Sequence, residues 1–350
     1  MPTTLALAGA GHITIVHGLA AQAIPNVDIT YVASRTRQSA QTRANQVQAK
    51  TCTYEELPAG ADVVIVATPP ARHATDALHA LAAGASVIVE KPLATTLGDA
   101  DAMVQASSDA GGRLGYAENL AFAPIVLAAQ SAIKQLGPLR HLEVRSMQGR
   151  PDWGDFLRPE WGGGALFDLG VHPIAVALLM AGIQAENGAG GGPSVDAVRA
   201  RISGAADIEV DDYAEVELIL STGLVARVVA SWKSAETQWD LQAASEDGVV
   251  RADLLPYLSL EVNGEPVALP EIPQSVEVPQ LHQFGYVTQL NDFVDDFAQE
   301  TEPTIGARFG RFVLEIVCAA YASASNDGQD IPLPFTGPRD KTPLELWRSI

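Results

Sequence analysis

The sequence predicts an α/β domain with a parallel, doubly wound sheet, followed by an α+β domain built on one large, mostly antiparallel open sheet. Three observations carry this. Short apolar runs alternate with helix-compatible stretches through the early part of the chain. A Gly-Ala-Gly turn separates the first run from the first helical stretch. After about residue 125 the alternation gives way to successive strand patterns joined by short turns. A chain of 350 residues, 47% of them apolar, is long enough to fill two such cores.

Leu5–Ala8 is a short apolar run ending at Gly9-Ala10-Gly11, and His12–Ala23 is Ala-rich and helix-compatible. Asp28–Ala33 contains the strand formers Ile29, Tyr31 and Val32; Thr36–Val47 is polar and helical. Asp62–Ala67, reading DVVIVA, is the pattern of a strand buried on both faces, and Thr68-Pro69-Pro70 stops it. Ala71–Ala83 is helical, Ser86–Val89 is a strand stopped by Glu90-Lys91-Pro92, Asp99–Ala110 is helical and Arg113–Ala117 is a strand. This spacing means stacked βαβ units. Further on, Leu139–Met147, Val195–Ser203, Asp212–Leu220, Leu224–Trp232, Trp239–Ala244, Val249–Leu254 and Leu258–Val262 read as strands. Turns such as Ser221-Thr222-Gly223, Glu246-Asp247-Gly248 and Asn263-Gly264 are of hairpin length, so neighbouring strands run antiparallel. Gly188–Pro193 is a Gly-rich surface loop, and helices near Phe284–Gln299 and Arg308–Ala324 close the chain. The expected domains are 1–120 and 121–350, with packing of the C-terminal segment back onto the first left open.

Acidic side chains number 42 and basic ones 22, a net charge of −20. That argues against duplex nucleic acid and anionic membranes as main partners, because both need a basic face. Cys52 and Cys318 are the only cysteines, which excludes a disulfide framework and a Cys-based zinc site. Met1-Pro2-Thr3-Thr4 has no basic targeting region, and no run approaches the ~18 apolar residues of a membrane span. The expected setting is cytoplasmic, with a small molecule as partner and no nucleic acid or membrane.

Gly9-Ala10-Gly11-His12-Ile13-Thr14 follows the first strand and opens the first helix. In that context Gly9 allows the tight turn, and Gly11, with His12 and Ile13 behind it, lets a dinucleotide pyrophosphate approach the helix N-terminus. Thr14 stands where Gly or Ala is usual, so the helix is expected to sit a little further from the sheet. A plain β–α turn is the alternative. At the end of the second strand, where an acidic residue would bind the ribose of NAD, the chain reads Ala33-Ser34-Arg35-Thr36-Arg37. No carboxylate repels a 2′-phosphate there; Ser34 can hydrogen-bond it, and Arg35 or Arg37 can pair with it. NADP(H) is favoured and NAD(H) stays open, the bland alternative being two solvated arginines. Thr68, Pro69, Glu90 and Lys91 end strands of the same sheet, at the edge where ligands of open α/β sheets sit. Lys91 can therefore reach a nicotinamide or a substrate.

The segment Trp161–Pro173 holds Gly162-Gly163-Gly164 and then Asp168 and His172. If its turns are helical, Asp168 and His172 share one face, which suits a general base with an orienting carboxylate; Gly170 and Pro173 oppose a regular helix. A helix with one satisfied His–Asp pair is the alternative. No third metal-type ligand clusters with them, so no metal is expected. Trp153 and Trp161 can stack on a sugar ring or simply pack. Glu118, beside Asn119, can hydrogen-bond a polyol hydroxyl or lie exposed on a loop. His73 is given a structural role. His12, His17, His79 and His141 read as surface or packing histidines, His12 also as part of the glycine loop. The cysteines read as buried small apolar residues.

Together these motifs resemble the Gfo/Idh/MocA family of oxidoreductases. The matching pieces are Gly9-Ala10-Gly11, Ala67-Thr68-Pro69 with His73, Glu90-Lys91-Pro92-Leu93, and the run from Gly162 through Leu166, Asp168 and Gly170 to His172. Asn291-Asp292-Phe293 with Asp295, and Ile331–Pro334, also match, so the resemblance spans nearly the whole chain. It implies a Rossmann domain followed by an α+β domain whose open sheet often forms an oligomer interface. A homodimer or homotetramer through that sheet is expected, with Val228, Ala230 and Trp232 in need of a partner. The resemblance further implies that Lys91 contacts the substrate hydroxyl, His172 is the acid/base residue, and Asp168 assists it and binds substrate. The expected activity is NAD(P)-dependent hydride transfer at a carbinol or carbonyl carbon of a sugar, cyclic polyol or derivative. Its rivals are a glycosidase or epimerase-like enzyme that recycles its cofactor, and a non-catalytic dinucleotide-sensing regulator. Lys91, Asp168 and His172 together argue against the regulator. Ala175 replaces an aspartate found in many members, Pro173 follows the histidine directly, and Tyr116-Ala117-Glu118-Asn119 replaces an arginine-containing segment. The substrate therefore does not carry over from any one member.

Overall fold

β-Branched runs build the first sheet, whose strands are β1 (Thr3–Ala8), β2 (Val27–Ala33), β3 (Lys50–Cys52), β4 (Val63–Val66), β5 (Ser86–Glu90) and β6 (Leu114–Ala117). The structure is a computed structural model and describes residues 2–57, 60–183, 191–272 and 278–348. The strands are all parallel in the order β3-β2-β1-β4-β5-β6, so the winding reverses between β1 and β4. Ligand sites of such sheets open at the carboxyl ends beside that reversal. Every residue of β4 and β5 is buried, as the DVVIVA pattern predicts. Helices α1 (His12–Gln22), α2 (Arg37–Val47), α3 (Pro70–Ala82) and α4 (Leu97–Asp109) alternate with the strands. Thr36 starts α2 by accepting the Ser39 N–H at 3.1 Å, and Pro70 opens α3 at a position where its missing N–H costs nothing.

The remaining elements in chain order are α5 (Pro124–Lys134), β7 (His141–Gly149), α6 (Ala165–Asp168), α7 (Val171–Met180), β8 (Val195–Ser203), β9 (Tyr213–Leu220), β10 (Val225–Ser231), β11 (Lys233–Ala244), β12 (Val249–Leu255), β13 (Ser259–Val262) and β14 (Glu265–Pro266). Then come α8 (Pro279–Gln283), α9 (Tyr286–Ala298), α10 (Ala307–Ser325), β15 (Ile331–Pro332) and α11 (Pro343–Arg348). The second sheet has nine strands in the order β14-β13-β12-β11-β7-β10-β9-β8-β15. It is antiparallel except for β7 and β10, which run parallel. The Gly-rich stretch expected at Gly188–Pro193 lies partly outside the described residues.

The chain divides into two compact units. The first is Met1–Ala94, Asp99–Ala123 and Ile272–Arg311; the second is Thr95–Gly98, Pro124–Glu271 and Phe312–Ile350. The first boundary falls close to residue 120, and Ile272–Arg311 belongs to the first unit, a return that the 121–350 division had left open. The local reason is packing: Gly115 of β6 has no side chain, and the Phe293 ring of α9 fills that space, 2.9 Å from where a Cβ would stand.

One expectation about the second sheet is corrected. Val228, Ala230 and Trp232 do not await a partner; they are 0%, 0% and 3% exposed within the single chain. Val144, Val216 and Val228 lie side by side in register, and α7, buried along its whole length, packs on β7 and β10. Trp232 packs with Ala165, Leu169, Val210 and Leu344. Intervening strand positions carry an ion-pair ladder instead. Arg227 pairs with Glu143 at 2.6 Å and Glu215 at 2.8 Å, and Arg145 grips both oxygens of Asp240 at 2.8 and 2.7 Å. The stretch Pro159–Met180 is long and apolar enough by composition to cross a membrane, contrary to the expectation that no run approaches that length, but 94% of its apolar window is buried inside the protein.

Trp232→Ala should therefore cost about 3–5 kcal/mol, the usual range for truncating a buried Trp. Urea unfolding of the full chain measures it; a loss under about 1 kcal/mol would show that the indole is not part of the core.

Candidate active site

β1 runs into Gly9, whose φ is 120°. A Cβ there would lie 2.3 Å from the Ala67 carbonyl oxygen, just past β4, so only glycine permits this approach of two strand ends. A Cβ on Gly11 would meet nothing within 4 Å. Gly11 and His12 are exposed, Ile13 is half-buried, and Thr14 is fully buried. No side chain caps α1 and its first turn has no acidic residue. The helix thus turns its N–H groups and the positive end of its dipole toward open space, a cradle that fits a pyrophosphate. Arg43, on α2, braces the loop from behind: Nη2 donates to the carbonyls of Ala10 at 2.9 Å and Gly11 at 2.8 Å. Sequence reasoning missed Arg43, because nothing in a polar helix marks which cation folds back.

At the end of β2 a cavity of about 580 Å³ is lined by Ser34, Arg35, Arg37, Tyr54, Glu56 and Arg72, among others. Arg72 is committed: it pairs with Asp76 at 2.6 and 3.2 Å and lies 4.6 Å over the Tyr54 ring. Arg35 and Arg37 are exposed and make no ion pair among the described residues. Burial, then Glu56, pushes the Cys52 thiol up to about 11, so it stays protonated. Thr68 donates its hydroxyl to Asp76 at 2.9 Å, and Pro69 is exposed at the sheet edge. His73 has the structural role expected of it. Its two ring nitrogens lie 2.8 Å from the carbonyls of Pro92 and Thr68, tying the ends of β4 and β5 together.

Glu90 ends β5 and is buried, while Lys91 beside it is half-buried. His17, expected to be a surface or packing residue, instead reaches Glu90 Oε1 with Nε2 at 2.8 Å. Burial alone would raise the Glu90 carboxyl. The attraction of His17, followed by Lys91, outweighs it and holds the group below the usual carboxylate range. Glu118 is not an exposed loop carboxylate: it is fully buried, and its Oε1 accepts the Leu120 N–H at 3.3 Å at the start of a short 3-10 helix. Asn119 is buried too, and its amide donates to the Phe284 carbonyl at 2.7 Å. Both are used inside the fold.

In the second unit the glycine run is held by a carboxylate that sequence reasoning did not single out. Asp211 accepts the N–H groups of Gly164 and Leu166, each at 2.8 Å, and the Tyr321 hydroxyl. A Cβ on Gly164 would fall 2.0 Å from the Asp211 carbonyl oxygen. Burial pushes the Asp211 carboxyl up despite these donors. From this anchor α6 leads through Leu169 and Gly170, both in helical conformation, into α7. Pro173 is tolerated because the first-turn N–H groups of a helix have no intrahelical partner. Asp168 and His172 are thus one turn apart, as expected, with Asp168 half-buried and His172 6% exposed. The Trp239 ring lies 5.5 Å from the His172 ring, tilted by 36°. Trp153 is 60% exposed; it meets Phe156 edge-on at 4.8 Å, and Phe156 meets the half-buried Trp161 at the same distance. Lys91 belongs to the first unit, and Asp168 and His172 to the second.

A glycine turn at the head of a reversed parallel sheet, with an open helix end and a lysine just past β5, defines a dinucleotide-binding protein of Rossmann type. Residues 3–118 match the oxidoreductase family with an NAD-binding Rossmann fold, and residues 126–263 match the GFO/IDH/MocA C-terminal domain. The chain belongs to this GFO/IDH/MocA oxidoreductase family. It is 27% identical over 278 residues to D-xylose 1-dehydrogenase (NADP(+)) 2 of Haloferax volcanii, which covers 77% of this chain and 78% of that one. GenD2 from gentamicin A biosynthesis, solved with NAD, is 27% identical with a TM-score of 0.81 over 95% of this chain and 96% of its own. Levoglucosan dehydrogenase, solved with NADH, shares the fold at a TM-score of 0.84 and 21% identity, over 96% and 100% of the two chains.

Asp211→Asn offers one carbonyl oxygen where three donors converge, leaving at least one of them facing an NH2 group. We expect a loss of about 1–3 kcal/mol, read as a lower urea midpoint. An unchanged midpoint would mean that the carboxylate does not hold the glycine run.

Proposed function

We propose that this protein is an NADP(H)-preferring oxidoreductase acting on a carbinol or carbonyl carbon of a sugar, cyclic polyol or related derivative. The observation that carries the dinucleotide reading is the open N-terminus of α1 behind Gly9 and Gly11, on the same sheet whose β5 ends at Glu90, just before Lys91. The observation that favours NADP(H) is the pair Arg35 and Arg37, exposed at the β2 cavity and free of ion pairs among the described residues. A 2′-phosphate supplies the anion they lack. The name of the Haloferax relative, a xylose dehydrogenase with NADP(+), supports both the substrate class and the cofactor.

When bound, the nicotinamide supplies the hydride acceptor or donor. In the oxidation direction the neutral imidazole of His172 takes the proton of the substrate hydroxyl, and in reduction the imidazolium returns it. The Lys91 ammonium stabilises charge that develops on the substrate oxygen. Asp168, one turn before His172, orients it and binds substrate. Trp153 offers an exposed ring face to a sugar. Self-association as a homodimer or homotetramer through the large sheet belongs to the same reading. With Val228, Ala230 and Trp232 covered inside the chain, its support is the family resemblance.

His172→Ala and Lys91→Ala should each lose at least about two orders of magnitude in turnover, because a positioned acid/base is worth that much. NADP(H) binding should persist in both, since neither residue belongs to the phosphate cradle. Single-turnover rates beside cofactor titrations measure this, and near-normal turnover in His172→Ala would refute the acid/base role. Separately, the unaltered protein should bind NADP(H) more tightly than NAD(H), and Arg35→Ala should narrow the gap. Equal or tighter NAD(H) binding in the unaltered protein would sink the cofactor preference.

A further inference from the structure

His17 lies in the second turn of α1, the helix that opens on the glycine loop, and is 1% exposed. Its Nε2 is 2.8 Å from one oxygen of Glu90, which is 6% exposed. The other Glu90 oxygen accepts the backbone N–H of Lys91 at 3.1 Å. One buried carboxylate therefore links the dinucleotide-binding helix to the lysine. A buried imidazole needs a hydrogen-bond partner, and an ionised carboxylate this deep would be costly without one, so each answers the other.

The surroundings make the charge of this carboxylate matter. β5 contributes Glu90 and Lys91 follows it, α3 contributes His73, which burial holds below its ordinary range against the attraction of Glu90, β6 contributes Tyr116, the segment after β6 contributes Glu118, and α9 contributes Tyr286, whose ring meets His17 edge-on at 6.4 Å. Both phenols stay neutral: burial first, then the charges of Glu90 and Glu118, push them well above their ordinary range. Lys91 is thus the residue in this group whose positive charge answers Glu90, together with whatever His17 contributes through its hydrogen bond.

We infer that His17 and Glu90 form a positioning pair for Lys91: His17 keeps Glu90 ionised and oriented, and Glu90 fixes the Lys91 backbone and keeps its ammonium charged. The inference rests on the role given to Lys91 above and extends it to two residues that act through it. The dinucleotide-binding helix and the lysine are then one electrostatic unit, so a change at α1 is felt at Lys91.

The test is a pH titration of the Lys91 side chain by NMR in the full chain, without added dinucleotide. The sequence has five lysines, and Lys91→Arg identifies the signal. In Glu90→Gln the Lys91 midpoint should fall by about one pH unit, because losing a neighbouring negative charge disfavours the ammonium. In His17→Leu it should fall as well, because a buried Glu90 without its partner takes up a proton. In His17→Gln, which can still donate to Glu90, it should stay where it is in the unaltered protein. An unmoved midpoint in both Glu90→Gln and His17→Leu would overturn the inference. Should Glu90→Gln fail to fold, the two His17 variants decide: equal Lys91 midpoints in them count against the pair. Turnover of Lys91→Ala tests the role of the lysine itself, so failure of that role and failure of the pair are told apart.

Discussion

The carbonyl oxygen of Ala67 occupies the space that a side chain on residue 9 would need, and the first unit is arranged around that contact. With no Cβ in the way, the ends of β1 and β4 come together where the sheet reverses its winding. The chain must then turn at Gly9 with φ at 120°, which fixes where α1 starts and how it leaves the sheet. Two consequences follow from that one turn. The N–H groups of the helix face open space at Gly11, and the second turn of the helix brings His17 against Glu90 at the end of β5. The phosphate cradle and the surroundings of Lys91 therefore share one geometric origin.

The second unit uses the same device. A glycine, Gly164, yields its side-chain volume to a backbone carbonyl, that of Asp211, and the helical segment that carries Asp168 and His172 starts beside it. Here a buried carboxylate adds three hydrogen bonds to the contact. Burial raises the proton affinity of Asp211, so the site tolerates a desolvated acid in return for a fixed start to α6. Asp168 and His172 inherit their placement from that start, through helical backbone that continues across Leu169 and Gly170.

What was legible in the sequence is what local pattern dictates. DVVIVA could only be a strand buried on both faces, and β4 is buried throughout. The one-turn spacing of Asp168 and His172 survived Gly170 and Pro173, because both fall at a helix start. Less legible were relations that depend on which distant element arrives. The alternation in β10 marked Val228 and Ala230 as apolar-face residues, but not that α7, from an earlier part of the chain, already covers them. His17 looked like a packing histidine because its partner lies 73 positions away. Asp211 was not singled out, lying just before the strand read at Asp212–Leu220, and Glu118 read as either a substrate-binding group or a loop carboxylate, because neither burial nor donors can be seen in a residue's neighbours. The return of Ile272–Arg311 to the first unit depended on a space left by Gly115 for Phe293.

On the function proposed above, the open end of α1 holds a dinucleotide, and His172, Asp168 and Lys91 serve net oxidation and reduction of sugars or polyols. The most direct measurement is a panel of aldoses, ketoses, cyclitols, sugar acids and glycosides, incubated with NADP+ and NAD+ in parallel, following the absorbance of the reduced cofactor. Steady formation of reduced cofactor is expected with at least one member of the panel, faster with NADP+ than with NAD+. Tight dinucleotide binding with no reduction by any member of the panel would contradict it.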